Sequence, residues 1–304
     1  SNLNYGEAHF NLASYYFNNF QIPLAIQYYS YAASNNHLQS QVNLGYIYSN
    51  GKYIQKNMTK AIYYFTLAAK QNDKRAQYKL SYYYFHGIGV KKNIELSLDY
   101  LKKSVIQNYN YSLYFYGLIL IEGMNVIRDI PKGIYYLTKA ANQNYALAQT
   151  ELGKYYKEGI VVNKDLAKAF HYLSLAANQN EPKGLFMFGS LYFNGIYVRK
   201  DIKKAMYYLN LSASNNFTNA LSTLGKYYYY GIIVEQNVKR GISYYLRAVN
   251  QHSRSALHEL GIIYYEGRFI RQNINIALNL LEKASKLNNR ESFFTIGTIY
   301  FLED

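Results

Sequence analysis

Between residues 148 and 177 apolar and small side chains return at fixed intervals. Ala148, Leu152, Gly153 and Tyr156 come first, then Ala169, Tyr172, Leu173, Ala176 and Ala177. The first set falls at i, i+4, i+5 and i+8, one stripe of a helix, and the position of Tyr155 widens it. The second set repeats the same helical spacing. The pattern predicts two helices, A and B, with Lys168 in the first turn of B. Gly159, Val162 and Asp165 lie between them. Glycine suits the chain reversal there, and an Asp at this place accepts a hydrogen bond from the free amides that open helix B.

This unit recurs without insertion. Gly51, Gly87, Gly123, Gly159, Gly195, Gly231 and Gly267 are each 36 residues apart, as are Gly45, Gly117, Gly153, Gly189, Gly225, Gly261 and Gly297, with Ser81 in the same frame. A period of this size means an array of supersecondary units, so the 304 residues read as one all-α solenoid rather than two globular domains. Residues 1–39 form a shorter first repeat, 40–291 seven full repeats and 292–304 a half repeat.

The columns give each position a role. Asn57, Asn93, Asp129, Asp165, Asp201, Asn237 and Asn273 are the expected caps of helix B. Tyr64, Tyr100, Tyr136, Tyr172, Tyr208 and Tyr244 are expected to fill gaps between neighbouring repeats. Asn72, Asn108, Asn144, Asn180, Asn216 and Asn288 are expected to close helix B in the left-handed conformation, and His252 breaks that column.

These residues resemble the Sel-one-like repeat (SLR) family, a branch of the tetratricopeptide-like solenoids. The match runs Ala-x-x-x-Leu-Gly-x-x-Tyr-x-x-Gly-x-x-Val-x-x-Asp, then Lys-Ala-x-x-Tyr-x-x-x-Ala-Ala, over nearly the whole chain. The resemblance implies antiparallel helix pairs in a right-handed superhelix, with helices A lining the concave face. It also implies a non-catalytic adaptor that assembles other proteins, in bacterial envelope or host-interaction systems among others.

The four tyrosines Tyr227–Tyr230 divide by column. Tyr227 and Tyr228 align with apolar positions and are expected in the core. Tyr229 shares a column with Ser49, Phe85, Ile121, Lys157 and Phe193, too variable for packing to fix, and is expected on the groove or its rim. By tetratricopeptide analogy the groove holds Tyr46, Tyr78, Tyr82, Phe85, Tyr114 and Leu118 in repeats two to four. Lys154, Lys157 and Lys226 follow in repeats five to seven. An aromatic patch grading into cations suits an acidic or amphipathic protein segment, since buried aromatics dominate binding hot spots. The alternative is that the rings only thicken the wall between adjacent helices A.

Charge adds a second surface. Thirty-three Lys and Arg against 18 Asp and Glu give +15. Lys56, Lys92, Arg128, Lys164 and Lys200 precede helix B, and Lys60, Lys132, Lys168, Lys204 and Arg240 sit in its first turn. Cations there oppose the helix dipole, so their recurrence asks for a reason. Stems covering apolar surface supply one. The alternative function is a polyanion binder for nucleic acid or an anionic membrane surface.

No enzyme is expected. The six histidines have no metal-ligand spacing, and neither a Walker loop nor a nucleophile elbow is present. No cofactor or metal is implied. The chain has no cysteine, so the compartment is not legible, and an exported or host-directed protein remains compatible. No apolar run approaches the roughly 18–20 residues of a membrane span, Ser1-Asn2-Leu3-Asn4 lacks signal-peptide character, and the chain reads as soluble. The half repeat leaves Phe293, Ile296 and Ile299 without a following helix B, so continuation of the chain, a partner or end-to-end self-association is expected to cover them.

Overall fold

The computed structural model describes residues 2–303; Ser1 and Asp304, ends of the first and half repeats, lie outside the described residues. Every element among the described residues is a helix. Helices A are α1 (Asn2–Asn18), α3 (Leu38–Asn50), α5 (Lys74–His86), α7 (Asn110–Glu122), α9 (Ala146–Glu158), α11 (Pro182–Asn194), α13 (Thr218–Tyr230), α15 (Arg254–Glu266) and α17 (Arg290–Glu303). Helices B are α2 (Ile22–Ser34), α4 (Met58–Lys70), α6 (Ile94–Ile106), α8 (Ile130–Asn142), α10 (Leu166–Asn178), α12 (Ile202–Ser214), α14 (Val238–Val249) and α16 (Ile274–Lys286). The chain divides after Tyr145 into two compact units, α1–α8 and α9–α17. Within each unit a helix A packs on its own helix B, and that B on the next A. No helix among the described residues is long and apolar enough to cross a membrane.

Helix boundaries follow from the capping chemistry. Asn57, Asn93, Asp129, Asp165, Asp201, Asn237 and Asn273 each accept a bond from the backbone amide three residues on, at 2.9–3.0 Å. Asn36, Asn72, Asn108, Asn144, Asn180, Asn216 and Asn288 all turn left-handed at φ 53–63°. His252 takes the same conformation at 57°, so the break in the column is chemical and not conformational. Gly51 closes α3 at φ +66°, where any side chain would be strained.

The tyrosine columns pair within a repeat. Tyr48 on Tyr64, Tyr84 on Tyr100, Tyr156 on Tyr172, Tyr192 on Tyr208 and Tyr228 on Tyr244 stack with centroids 5.9–6.2 Å apart and planes within 15°. The helix B tyrosines thus find their stacking partner inside their own repeat, not in the gap to a neighbour as expected. Within a repeat the end of helix B is tied to the start of its helix A through a buried glutamine: Gln71 donates to buried Gln41 at 2.8 Å, Gln107 to Gln77 at 2.9 Å and Gln179 to Gln149 at 2.7 Å. Each bond satisfies a side chain that would otherwise be costly to bury.

Candidate interaction face

In the first unit, α5, α7 and the segments before α7 and α9 carry a contiguous set of rings, from buried Phe115 through half-buried Tyr78, Tyr82, Tyr109, Tyr114 and Tyr145 to exposed Tyr111. Tyr78 lies 6.4 Å from Tyr82, 5.8 Å from Tyr109 and 5.7 Å from Tyr111. Phe115 bridges Tyr78 and Tyr82, and Tyr145 joins Tyr111 at 4.9 Å and Tyr114 at 5.4 Å. Tyr46, on α3, stands edge-on to Phe65 at 5.2 Å beneath the ammonium of Lys79. Leu118 is half-buried on α7.

Burial sets the chemistry of this face. It pushes the Tyr78 phenol up to about 12 and raises Tyr109 and Tyr145 as well, so these hydroxyls stay neutral and can donate. The same loss of hydration lowers Lys79. Arg75 is fixed by Asp73, which bonds it at 2.8 Å and also caps α5.

Two expected groove residues are elsewhere. Tyr229 has no exposed surface and Phe85 is buried. The reason lies on the partner helix. Gly241, where most repeats carry Ala, would place a Cβ 2.6 Å from the Tyr229 amide nitrogen, so α13 approaches α14 too closely for that side chain to escape. Ile121 is buried beside Gly133 in the same way. Tyr227 and Tyr228, expected in the core, are only half-buried.

Tyr109, Tyr111, Phe115 and Tyr145 were not singled out by sequence. A signal existed: Tyr109 and Tyr145 share a column with His37, Asp73, Glu181 and Ser253, which cap helices A. Tyr109 makes no capping bond. Giving up a cap for a ring costs about 0.5–2 kcal/mol.

In the second unit Lys154 and Lys157 are half-buried and Lys226 is exposed. Lys154 lies 5.8 Å from the Tyr155 ring. His258 is buried, its Nδ1 2.9 Å from Ser292 Oγ and its Nε2 3.6 Å from Glu291. These are the residue types of a hydrolase triad, but Ser292 has no exposed surface, and the bond ties α15 to α17.

All ten residues of the basic edge, Lys56, Lys60, Lys92, Arg128, Lys132, Lys164, Lys168, Lys200, Lys204 and Arg240, are exposed, yet several have work within the fold. Lys60, Lys168 and Lys204 lie 5.1–5.2 Å over Tyr48, Tyr156 and Tyr192, and Arg240 is 4.1 Å over Tyr228. Each roofs a stacked tyrosine pair, a cation–π contact that offsets the unfavourable dipole. Arg128 donates to the Ile121 carbonyl at 2.8 Å, and Gln236 and Gln272 repeat that bond, closing the C-terminal ends of helices A.

Tandem helix pairs in strict register over most of the chain leave a comparison of sequence to decide the family. The Sel1 repeat profile matches residues 6–37, 38–73, 74–109, 110–145, 146–181, 182–217, 219–253 and 254–289. The chain belongs to the Sel1 repeat family. A Sel1 repeat protein from Oxalobacter formigenes is similar in fold, with a TM-score of 0.69 and 26% identity over 97% of this chain and 86% of that one. A protective antigen of uropathogenic Escherichia coli displaying an SLR fold gives 0.68 and 22%, covering 97% of this chain and 64% of that one. No curated protein matches the sequence. Sel1 repeat proteins are generally protein-interaction scaffolds.

Proposed function

We propose that this Sel1 repeat chain is a non-catalytic adaptor that holds a segment of a partner protein on the faces of its helices A. The observation that carries the reading is the contiguous ring set of the first unit. Tyr78, Tyr82, Tyr111, Tyr114 and Tyr145 keep part of their surface open, with neutral phenols among them and Tyr109 spending a cap position on an aromatic. Rigid amphipathic rings of this kind form hot spots at little entropic cost. The net charge of +15 and the cations Lys154, Lys157 and Lys226 favour an acidic or amphipathic segment. A place in host-interaction or envelope processes belongs to the same reading. The basic edge is the weaker candidate, because tyrosine stacks and helix carbonyls already occupy many of its cations.

The test is affinity capture from native lysate under nuclease at two salt concentrations. It compares the wild type with Tyr82→Ala/Tyr114→Ala and Lys164→Glu/Lys168→Glu. A defined protein held by the wild type and by the lysine variant, and lost with the tyrosine pair at unchanged helicity, supports the reading. Loss of about 2 kcal/mol or more is the expected size for a hot-spot pair. Capture that follows the lysines and disappears with salt or nuclease refutes it in favour of a polyanion.

A further inference from the structure

Helix A glycines in this chain have a recurrent partner on helix B. Along that column stand Tyr29, Phe65, Leu101, Leu137, Leu173, Leu209, Tyr245 and Leu281. Phe65 lays its ring on Gly45, with ring atoms 2.7–2.8 Å from where a Cβ would stand, and fills the space between α3 and α5. Tyr245 does the same on Gly225, and neither ring has exposed surface. In repeats with leucine, Leu137, Leu173 and Leu281 press their branch carbons on the glycine at 2.6–2.9 Å.

Leu209 departs from this. What stands nearest Gly189 is the Tyr208 Cβ, the Ala205 carbonyl and only the backbone nitrogen of Leu209. Leu209 is 8% exposed where the other leucines of the column are at 0%. The space left over Gly189 is a cavity of about 280 Å³ between α11 and α13, floored by α12. Phe186, Ser190, Phe193, Met206, Leu209 and Tyr227 line it, and Phe193 and Tyr227 stack at 5.9 Å on one side. Sites for drug-sized ligands run to roughly 300–1,000 Å³, so this one suits a single side chain.

We propose that this cavity is an anchor socket for one phenyl or phenol side chain of a partner segment, seated on Gly189 as Phe65 sits on Gly45 and Tyr245 on Gly225. The occupant is inferred from the protein's own rings: over Gly45 and Gly225 the chain supplies an aromatic to this space, and over Gly189 neither a ring nor a leucine branch takes the seat. Ser190 and Thr223 line the cavity with hydroxyls that already donate to the Met187 and Asn219 carbonyls, which leaves their oxygens to accept from the phenol or backbone amide of the incoming residue, and Lys226, exposed beside Tyr227, favours an acidic flank. Between α1 and α3 a cavity of about 260 Å³ remains despite Tyr29, but Ala13 stands there in place of the glycine, so the ring-on-glycine seat is missing. The socket rests on the adaptor reading above and names its anchor in the second unit.

The chain has four methionines, and Met206 lines the cavity, so methyl-labelled methionine gives a local reporter. The probes are N-acetyl-phenylalaninamide and N-acetyl-leucinamide, titrated in the millimolar range, with the Met206 signal assigned by Met206→Leu. The aromatic amide is expected to move the Met206 methyl by its ring current and to bind roughly threefold to tenfold more tightly than the aliphatic one. Leu209→Phe fills the space from within and is expected to abolish the response with helicity retained. Thr223→Tyr, which blocks the mouth from a half-exposed position, serves if Leu209→Phe does not fold. A Met206 signal that ignores the aromatic amide, or a Leu209→Phe protein that titrates like wild type, overturns the socket. Either result leaves the adaptor reading to its own test with the Tyr82/Tyr114 pair.

Discussion

Among the described residues, none gives the buried hydroxyls of Tyr229 and Tyr245 a hydrogen-bond partner. An unmet buried donor of this kind costs about 1–3 kcal/mol. Tyr245→Phe removes the hydroxyl and keeps the ring that lies on Gly225, and Phe65 shows that the same column accepts phenylalanine fully buried. The substitution is therefore expected to stabilise the second unit by about 1–3 kcal/mol, or roughly 2–4 °C of melting temperature per kcal/mol for a unit of this size. Tyr29→Phe is the internal control. It lies in the same column, but its hydroxyl bonds Ser14 Oγ at 3.2 Å, so the identical change should cost about 0.5–1.5 kcal/mol. Thermal unfolding followed by circular dichroism, with hydrogen exchange to assign each effect to its unit, measures both. If Tyr245→Phe destabilises as Tyr29→Phe does, its hydroxyl is satisfied and the reasoning fails.

Gly241→Ala puts a Cβ 2.6 Å from the Tyr229 nitrogen, and backbone gives way less readily than a side chain. A loss of about 1–3 kcal/mol should outweigh the roughly 1 kcal/mol gained in helix propensity, and a raised melting temperature would contradict the account of why Tyr229 is buried. Alkaline pH supplies a second check. The unfolded phenols titrate near 10, while burial holds Tyr78 and Tyr230 up to about 12. Between those values the native state keeps more protons than the unfolded one, so stability should fall as pH rises from 10 to 12, and a flat profile in denaturant titrations would count against the burial.

Much of the architecture was legible because repetition makes one sequence its own alignment. The 36-residue frame gave the helices, the Asn and Asp caps and the left-handed turns, each of which depends on residues close in the chain. Burial of Tyr229 depends on a residue twelve positions later, on another helix. Read alone, its column of Ser, Phe, Ile and Lys looked like surface; read beside the Ala, Ser and Gly column of Gly241, the burial of Ile121 and Tyr229 follows. The rings at Tyr109 and Tyr145 are hard to read from sequence because they occupy a column whose ordinary task is to cap the start of helix A. The cations in the first turn of helix B oppose its dipole in the linear reading; the tyrosines beneath Lys60, Lys168, Lys204 and Arg240, and the carbonyl held by Arg128, are contacts that no linear spacing displays.

The glycine-facing column has a consequence for how such arrays diversify. Leucine and phenylalanine codons lie a single base apart, and the column holds both without disturbing the backbone. A gene encoding this architecture can therefore shut the recess over Gly189 by one point mutation while the helical frame and the other modules stay as they are. Specificity in such a lineage can change one module at a time, each step a single substitution within an unchanged helical frame.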